Sequence, residues 1–431
     1  MMDGILALGL LFTTASQLRL PGVPIGPGEL GLVVWIVAIL FRTLLSGAPS
    51  SSRPRAVSDL LIFWGAFALA LSLGMITAMA TGEAFESDMV LHDAAAYVLV
   101  AVVSCLCAAA PSRPRRVGWF LVISGAASLS LQYANGIGLI GVPGIDPWFW
   151  ERFRGWSGNP NQLAILCLII VLVALYLADA ATSVGTRLAA MLLMIPPLIV
   201  GRMSGSDTFV LALAVALAVW FAVKLIVWLH DDRLGLSLRA SFARLALLAA
   251  PVLLLCLAPL VLSRAEEIKG FAMGFAKQEG AEAAHEANLR LTLWRQAIGR
   301  GIDSGMMGLG PGPHLQIPLS IVAGRASMGT RPANMDRHPT QNGTANYEAH
   351  NTILDVFTQG GALAVASFVW LLLRATQYAY RARSAELMAL VAGAAIFMMT
   401  GNIIRQPIFW FAIVLCLTAP TSPTETDRSR L

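Results

Sequence analysis

The residues best suited to chemistry in this chain are a set of arginines and one histidine. Arg152 and Arg154 stand just before an apolar run that starts at 162, Arg202 ends another run, and Arg405 sits in a very short break between two more. Arg290, Arg295 and Arg300 follow one another in a long polar insertion. Cations beside or inside apolar segments are costly unless paired, so they mark function by default. The planar guanidinium fork suits the oxygens of phosphate and carboxylate, and the group as a whole reads as an anion site. For any single arginine the plainer explanation is a pair with Glu151, Asp207, Glu282 or Glu286, or snorkelling to lipid headgroups.

The second feature is Tyr347-Glu348-Ala349-His350-Asn351, where the long insertion meets the next apolar run. A neutral imidazole there can take a proton from an attacking hydroxyl near neutral pH. Glu348 either orients the imidazole or serves as the base itself, and His314 and His338 are alternatives in the same insertion. A histidine standing alone is more often structural.

The elements that must position these groups are membrane helices. Hydrophobic residues make up 57% of the 431 and charged residues 13%, too little charge to cover a water-facing surface. Apolar runs of about 20 residues match the bilayer core as helices, which satisfy their own backbone in lipid. Candidate helices run over 4–17, 29–46, 58–81, 93–110, 117–133, 162–181, 188–203, 208–230, 244–262, 351–375, 385–401 and 406–419. The fold class is therefore all-α and polytopic, with about twelve transmembrane helices. Three regions follow: helices 1–9 over 1–262, a loop with short helices over 263–350, and helices 10–12 with a tail over 351–431. The first run is short, consistent with a half-helix, and reads as a retained helix rather than a cleaved signal. Pro196-Pro197 predicts a break in 188–203.

Charge fixes the expected orientation. Alternate loops hold Arg53 and Arg55, then Arg113, Arg115 and Arg116, then Arg187, then Arg233 and Arg239, then Arg381 and Arg383. The positive-inside rule makes those loops cytoplasmic, with both termini on that side. The insertions at 134–161 and 263–350 then face the periplasm, and all the candidate chemistry goes with them. Arg264–Arg300 reads as one or two amphipathic helices and Gly305–Pro313 as a turn.

Other classes of site find little support. All five cysteines (Cys105, Cys107, Cys167, Cys256, Cys416) fall in apolar runs without metal-ligand spacing, so neither zinc nor a disulfide framework is expected. Gly308-Leu309-Gly310-Pro311-Gly312 lacks the Lys-Ser/Thr of a phosphate loop and reads as a turn. The net charge of +5 is distributed as a topology signal rather than as a nucleic-acid surface. A flippase or secondary transporter would put charge near the midplane and often show two related halves, whereas here charge gathers at one face beside one asymmetric loop. A scaffold protein would leave the histidine and arginines incidental.

Four pieces in order carry a resemblance. They are Arg152-Phe153-Arg154-Gly155-Trp156-Ser157-Gly158-Asn159-Pro160-Asn161, Arg290 with Trp294, Gly308–Gly312, and His350-Asn351 with Gly360-Gly361. Over about 150–365 the chain resembles the bacterial O-antigen ligase and O-antigen polymerase family of membrane glycan transferases. The resemblance implies a GT-C-like fold in the inner membrane and a glycan passed from undecaprenyl pyrophosphate to an acceptor hydroxyl, on a glycan or on lipid A core. It implies that no metal or other cofactor is needed, that Arg152 or Arg154 and Arg290 hold the pyrophosphate, and that His350 is the base. Arg405 joins the anion set, with Asn161, Asn351, Asp207 and Trp294 in support. Many relatives have Ser-Arg where this chain reads Met203-Ser204-Gly205-Ser206-Asp207-Thr208. Arg202 is expected to take that role from about one turn away, with Asp207 orienting it.

Overall fold

The computed structural model describes residues 2–19, 25–46, 54–83, 87–149, 151–229, 290–316 and 347–419. Its helices are α1 (Met2–Phe12), α2 (Pro27–Ser46), α3 (Arg55–Thr81), α4 (Ser87–Ala108), α5 (Arg113–Gly136), α6 (Pro160–Asp179), α7 (Val184–Leu192), α8 (Ile195–Met203) and α9 (Asp207–Leu229). They continue as α10 (290–303), α11 (Thr352–Arg381), α12 (Ala385–Met398) and α13 (Pro407–Leu417). The expected helix at 244–262, most of the 263–350 insertion with His338, Glu282 and Glu286, and the tail from 420 lie outside the described residues.

Among the described residues eight helical stretches are long and apolar enough to cross a membrane, with α7 and α8 counted as one, so the chain is a mostly helical, multi-pass membrane protein. The expected count of twelve is not reached among the described residues. The runs read at 4–17, 385–401 and 406–419 fold as helices of 11, 14 and 11 residues. At about 1.5 Å per residue these fall short of a bilayer core about 30 Å thick. Between α12 and α13, Gly401 and Pro407 break the helical path, so an irregular segment at 399–406 interrupts what hydropathy reads as two full spans. The break expected at Pro196-Pro197 is present: α7 stops at Leu192 and α8 restarts at Ile195 with both prolines in its first turn, where their missing N–H groups cost nothing.

α6 is the centre of the bundle. Every side chain from Leu163 to Ala174 is buried, because a helix apolar on all sides has no face to give to water. α12 packs against α6 and α9, and Gly393 lets Leu168, Leu172 and Ala216 close in on it. α13 is buried along its whole length and carries Phe409 and Trp410 into an aromatic cluster with Phe63, Trp64 and Phe368. α2 instead exposes Val33, Val37, Phe41 and Leu44, as a lipid-facing helix must.

One packing detail bears directly on the site. α11 kinks at Gly361, whose φ is 62°. A kink strands backbone carbonyls, and a buried carbonyl needs a donor. The Gly-rich turn after α10 supplies two: Leu309 N donates to Thr358 O and Gly310 N to Gln359 O, both at 2.8 Å. Ala362 N donates back to Met306 O at 2.9 Å. A Cβ at Gly361 would collide with the Met306 carbonyl, and one at Gly308 would come within 2.5 Å of Gln359 O. The turn is thus a backbone patch on a broken helix.

Candidate functional site at one end of the bundle

The first arginines are presented by a hairpin that the sequence did not announce. β1 (Trp148–Phe149) pairs antiparallel with β2 (Arg152–Phe153), Trp148 facing Phe153. Phe153 is fully buried against Gly136, with the Trp148 ring edge-on to it. Arg152 Nε donates to Ser204 O at 3.1 Å, in the turn between α8 and α9, and its Nη2 donates to Asn161 Oδ1 at 3.0 Å. The Asn-Pro-Asn motif now has a physical meaning. Asn159 caps α6 by accepting from Asn161 N, Pro160 opens the helix, and Asn161 turns its amide to Arg152.

Arg154 is 6% exposed. Its Nε donates to Asp146 O and its Nη2 to Asp146 Oδ2, at 3.0 and 2.9 Å, while the guanidinium lies 5.4 Å from the Phe149 ring centre. Its carboxylate partner is Asp146, which is not among the acidic residues that the sequence suggests for the arginines. Arg202 is exposed in the last turn of α8, two residues before the carbonyl that Arg152 holds. Gly205, at φ 59°, makes the turn into α9 with the Arg152 side chain lying over it. Among the described residues no ion pair joins Arg202 to Asp207; both are exposed.

His350 is held by its neighbours. Its φ is 51°, the left-handed region that a β-carbon disfavours. Buried Ala349 is pinned from both sides, its N–H by Asp355 Oδ1 at 2.7 Å and its carbonyl by Trp294 Nε1 at 3.1 Å. Asn351 caps α11 through Ile353 N and Leu354 N, and its Nδ2 reaches Met399 O at 3.3 Å. Thr352 Oγ1 donates to Gly401 O and accepts from Ile403 N. Tyr347 exchanges two backbone bonds with Leu315, and its ring meets the His350 ring edge-on at 5.3 Å. A strained residue fixed this tightly is a candidate for function.

Arg405 is a junction. It bonds Asp93 of α4 and Glu348 of the histidine segment. Burial opposes its charge, but the two carboxylates outweigh burial and raise its pKa. Its charge is therefore matched within the protein by Asp93 and Glu348. Trp294 sits on α10, which starts at Arg290; Arg295 is exposed and Arg300 pairs with Glu83 at 2.6 Å. His314 is buried with Nε2 donating to Gly310 O at 2.8 Å, and burial pushes its imidazole below the ordinary value. That makes it a brace for the Gly-rich turn.

Sequence reasoning missed Asp93, Asp146, Asp355 and Gln17. Each works through a partner that no local motif points to. Asp93 did carry a signal, a carboxylate within an apolar run. The loops between α3 and α4, α5 and α6, α8 and α9, and α12 and α13 share one end of the bundle with the histidine segment. The opposite end holds the pairs Asp3 with Arg113 and Arg116, Asp59 with Arg374, and Lys224 with Asp179 and Glu386.

A membrane helical bundle with an arginine- and histidine-bearing polar end is the class that these features define. Residues 189–369 match the family model for O-antigen ligase. The match supports an O-antigen ligase-like family for the chain, and with it glycan transfer of that type in general. It covers less than half of the chain, taking in Arg202, Arg290, Trp294, Glu348, His350 and Asn351 and leaving out the hairpin arginines and Arg405. No curated protein and no solved structure matches the chain.

Proposed function

We propose that the protein transfers a glycan from an undecaprenyl-pyrophosphate-linked donor to an acceptor hydroxyl, on the periplasmic face of the bacterial inner membrane. The observation carrying this reading is that Arg152, beside the Arg202 turn, shares one end of the bundle with His350 clamped at the mouth of α11. Arg152, Arg202 and Arg290 are the ligands for the pyrophosphate. Arg154 and Arg405, already met by Asp146 and by Asp93 and Glu348, support them from behind. Asn161 steers Arg152, and Trp294 and Asn351 steer His350.

The reaction is a single displacement. The acceptor oxygen attacks the anomeric carbon, the bond from that carbon to the pyrophosphate oxygen breaks, and His350 takes the hydroxyl proton. The electron pair leaves with undecaprenyl pyrophosphate, whose growing charge the arginines neutralise. Glu348, held by Arg405, orients the base. One displacement without a protein nucleophile gives inversion, and retention in the product linkage would refute that step. The acceptor is a second glycan in a polymerase or lipid A core in a ligase.

The test is the chain-length profile of surface polysaccharide in a deletion strain complemented with wild type or His350→Ala. Single repeat units on lipid A core without long chains identify a polymerase. Loss of all attached glycan, with lipid-linked polymer accumulating, identifies a ligase. A profile untouched by both the deletion and His350→Ala would rule out this polysaccharide as substrate.

A further inference from the structure

Both hairpin arginines belong to an arch, 146–157, that leaves α5 and returns to α6. Its two feet are held together by one side chain from elsewhere, Gln17, in the single helical turn Ser16–Leu18 that follows α1. Gln17 Nε2 donates to Asp146 O at 3.0 Å, Gly155 O at 2.9 Å and Ser157 O at 2.8 Å. Its Oε1 accepts from Asp146 N at 3.0 Å, and its own backbone N–H donates to Trp156 O at 3.0 Å. The contact is reinforced on either side. Phe12 stacks on Trp156 with centroids 6.3 Å apart, and Gly158 leaves room for Ser16 Oγ. From α5, Gln132 Oε1 accepts from Trp156 N at 3.0 Å, over Gly155 at φ 54°.

Only a carboxamide fits this position. Its two N–H bonds are shared among three carbonyls while its oxygen accepts from one amide, all within a single planar group, so a carboxylate would set oxygen against oxygen and an ammonium could accept nothing. The residue that Gln17 grips most fully, Asp146, is also the one that holds Arg154 by both its carbonyl and its carboxylate. Between the two feet, Arg152 reaches across to Ser204 and Asn161. The span between the feet is thus set by Gln17, and with it the direction in which the hairpin points its guanidinium groups.

We infer that Gln17 is a positioning residue for the arginine arch, acting through Asp146 and Gly155–Ser157 on the binding of the pyrophosphate-linked donor. The inference rests on the reading given under Proposed function. In this light α1, whose Asp3 is anchored by Arg113 and Arg116 at the opposite end of the bundle, serves to carry Gln17 to the arch.

The test uses the purified full-length chain in detergent, with undecaprenyl pyrophosphate as probe. Gln17→Glu keeps the shape and removes the donors. It is expected to weaken binding by about tenfold, the loss of one well-placed polar interaction. In an Arg152→Ala background it should weaken binding no further, because the group it positions is already gone. In the transfer assay the effect should fall on KM rather than on kcat, whereas His350→Ala should lower kcat and leave probe binding intact. Arg19→Ala is the structural control, since it breaks the nearby pair with Glu29 without touching the arch. If Arg19→Ala weakens probe binding as much as Gln17→Glu, or if Gln17→Glu binds like wild type, the role of Gln17 is overturned while the donor reading stands. If wild type itself does not bind the probe, the donor reading falls and this inference with it.

Discussion

His350 combines a reactive side chain with an unfavourable backbone, and the two can be separated by substitution. Left-handed φ costs a β-carbon about 1–2 kcal/mol relative to glycine. His350→Gly should therefore abolish transfer as fully as His350→Ala, yet melt about 1 kcal/mol more stable than the alanine variant; equal melting of the two would mean that φ is relaxed. His314 makes a different prediction. Its folded pKa is lowered by burial, so the unfolded chain binds the proton first as pH falls. Stability should be full above about pH 6.5 and decline below it, and His314→Gln, which keeps a donor for Gly310 O, should flatten that slope in thermal melts. At this scale the chemical types were legible in the sequence, because arginine and histidine beside apolar runs are rare enough to stand out. Their partners were not. Arg405 finds Asp93 and Glu348, and Arg154 finds Asp146, through folding alone.

At the scale of elements, hydropathy found the helices because lipid forces the backbone to bond within each one. It did not show where a helix is completed by something else. The kink in α11 is an example: Gly360-Gly361 and the Gly308–Gly312 turn were visible as motifs, but not as partners. Gly361→Ala should reduce folded yield severely, since its Cβ meets backbone on the turn. Gly299→Ala has open space around it and should leave yield unchanged or raise stability by up to about 1 kcal/mol through helix propensity. Size-exclusion profiles of the two variants separate a packing role from a general intolerance of glycine loss. The hairpin was illegible for a related reason, since two paired residues on each side are too few to show alternation.

For the whole molecule, the spacing of apolar runs suggests about twelve crossings; among the described residues eight stretches are long enough to span, and the buried helices of 11–14 residues look as apolar as those. α13 is buried by protein rather than by lipid. Orientation rests on charge, and chemistry can test it. The described cysteines are buried or half-buried, so a single added cysteine should report its own side. Glu151→Cys should react with a membrane-impermeant maleimide in intact spheroplasts, whereas Thr182→Cys, at the opposite end, should react only after permeabilisation. The reverse pattern would invert the topology and put the arginines in the cytoplasm.

The seam between α11 and the Gly-rich turn also bears on how the protein survives damage. Hydrogen bonds between described residues tie the part of the chain ending at Gln316 to the part beginning at Tyr347. Leu309 and Gly310 bond the carbonyls of Thr358 and Gln359, Ala362 bonds Met306, and Leu315 pairs with Tyr347. A chain nicked between 316 and 347, or made as two separate polypeptides with that joint open, should therefore still co-purify as one particle and keep His350 in its clamp.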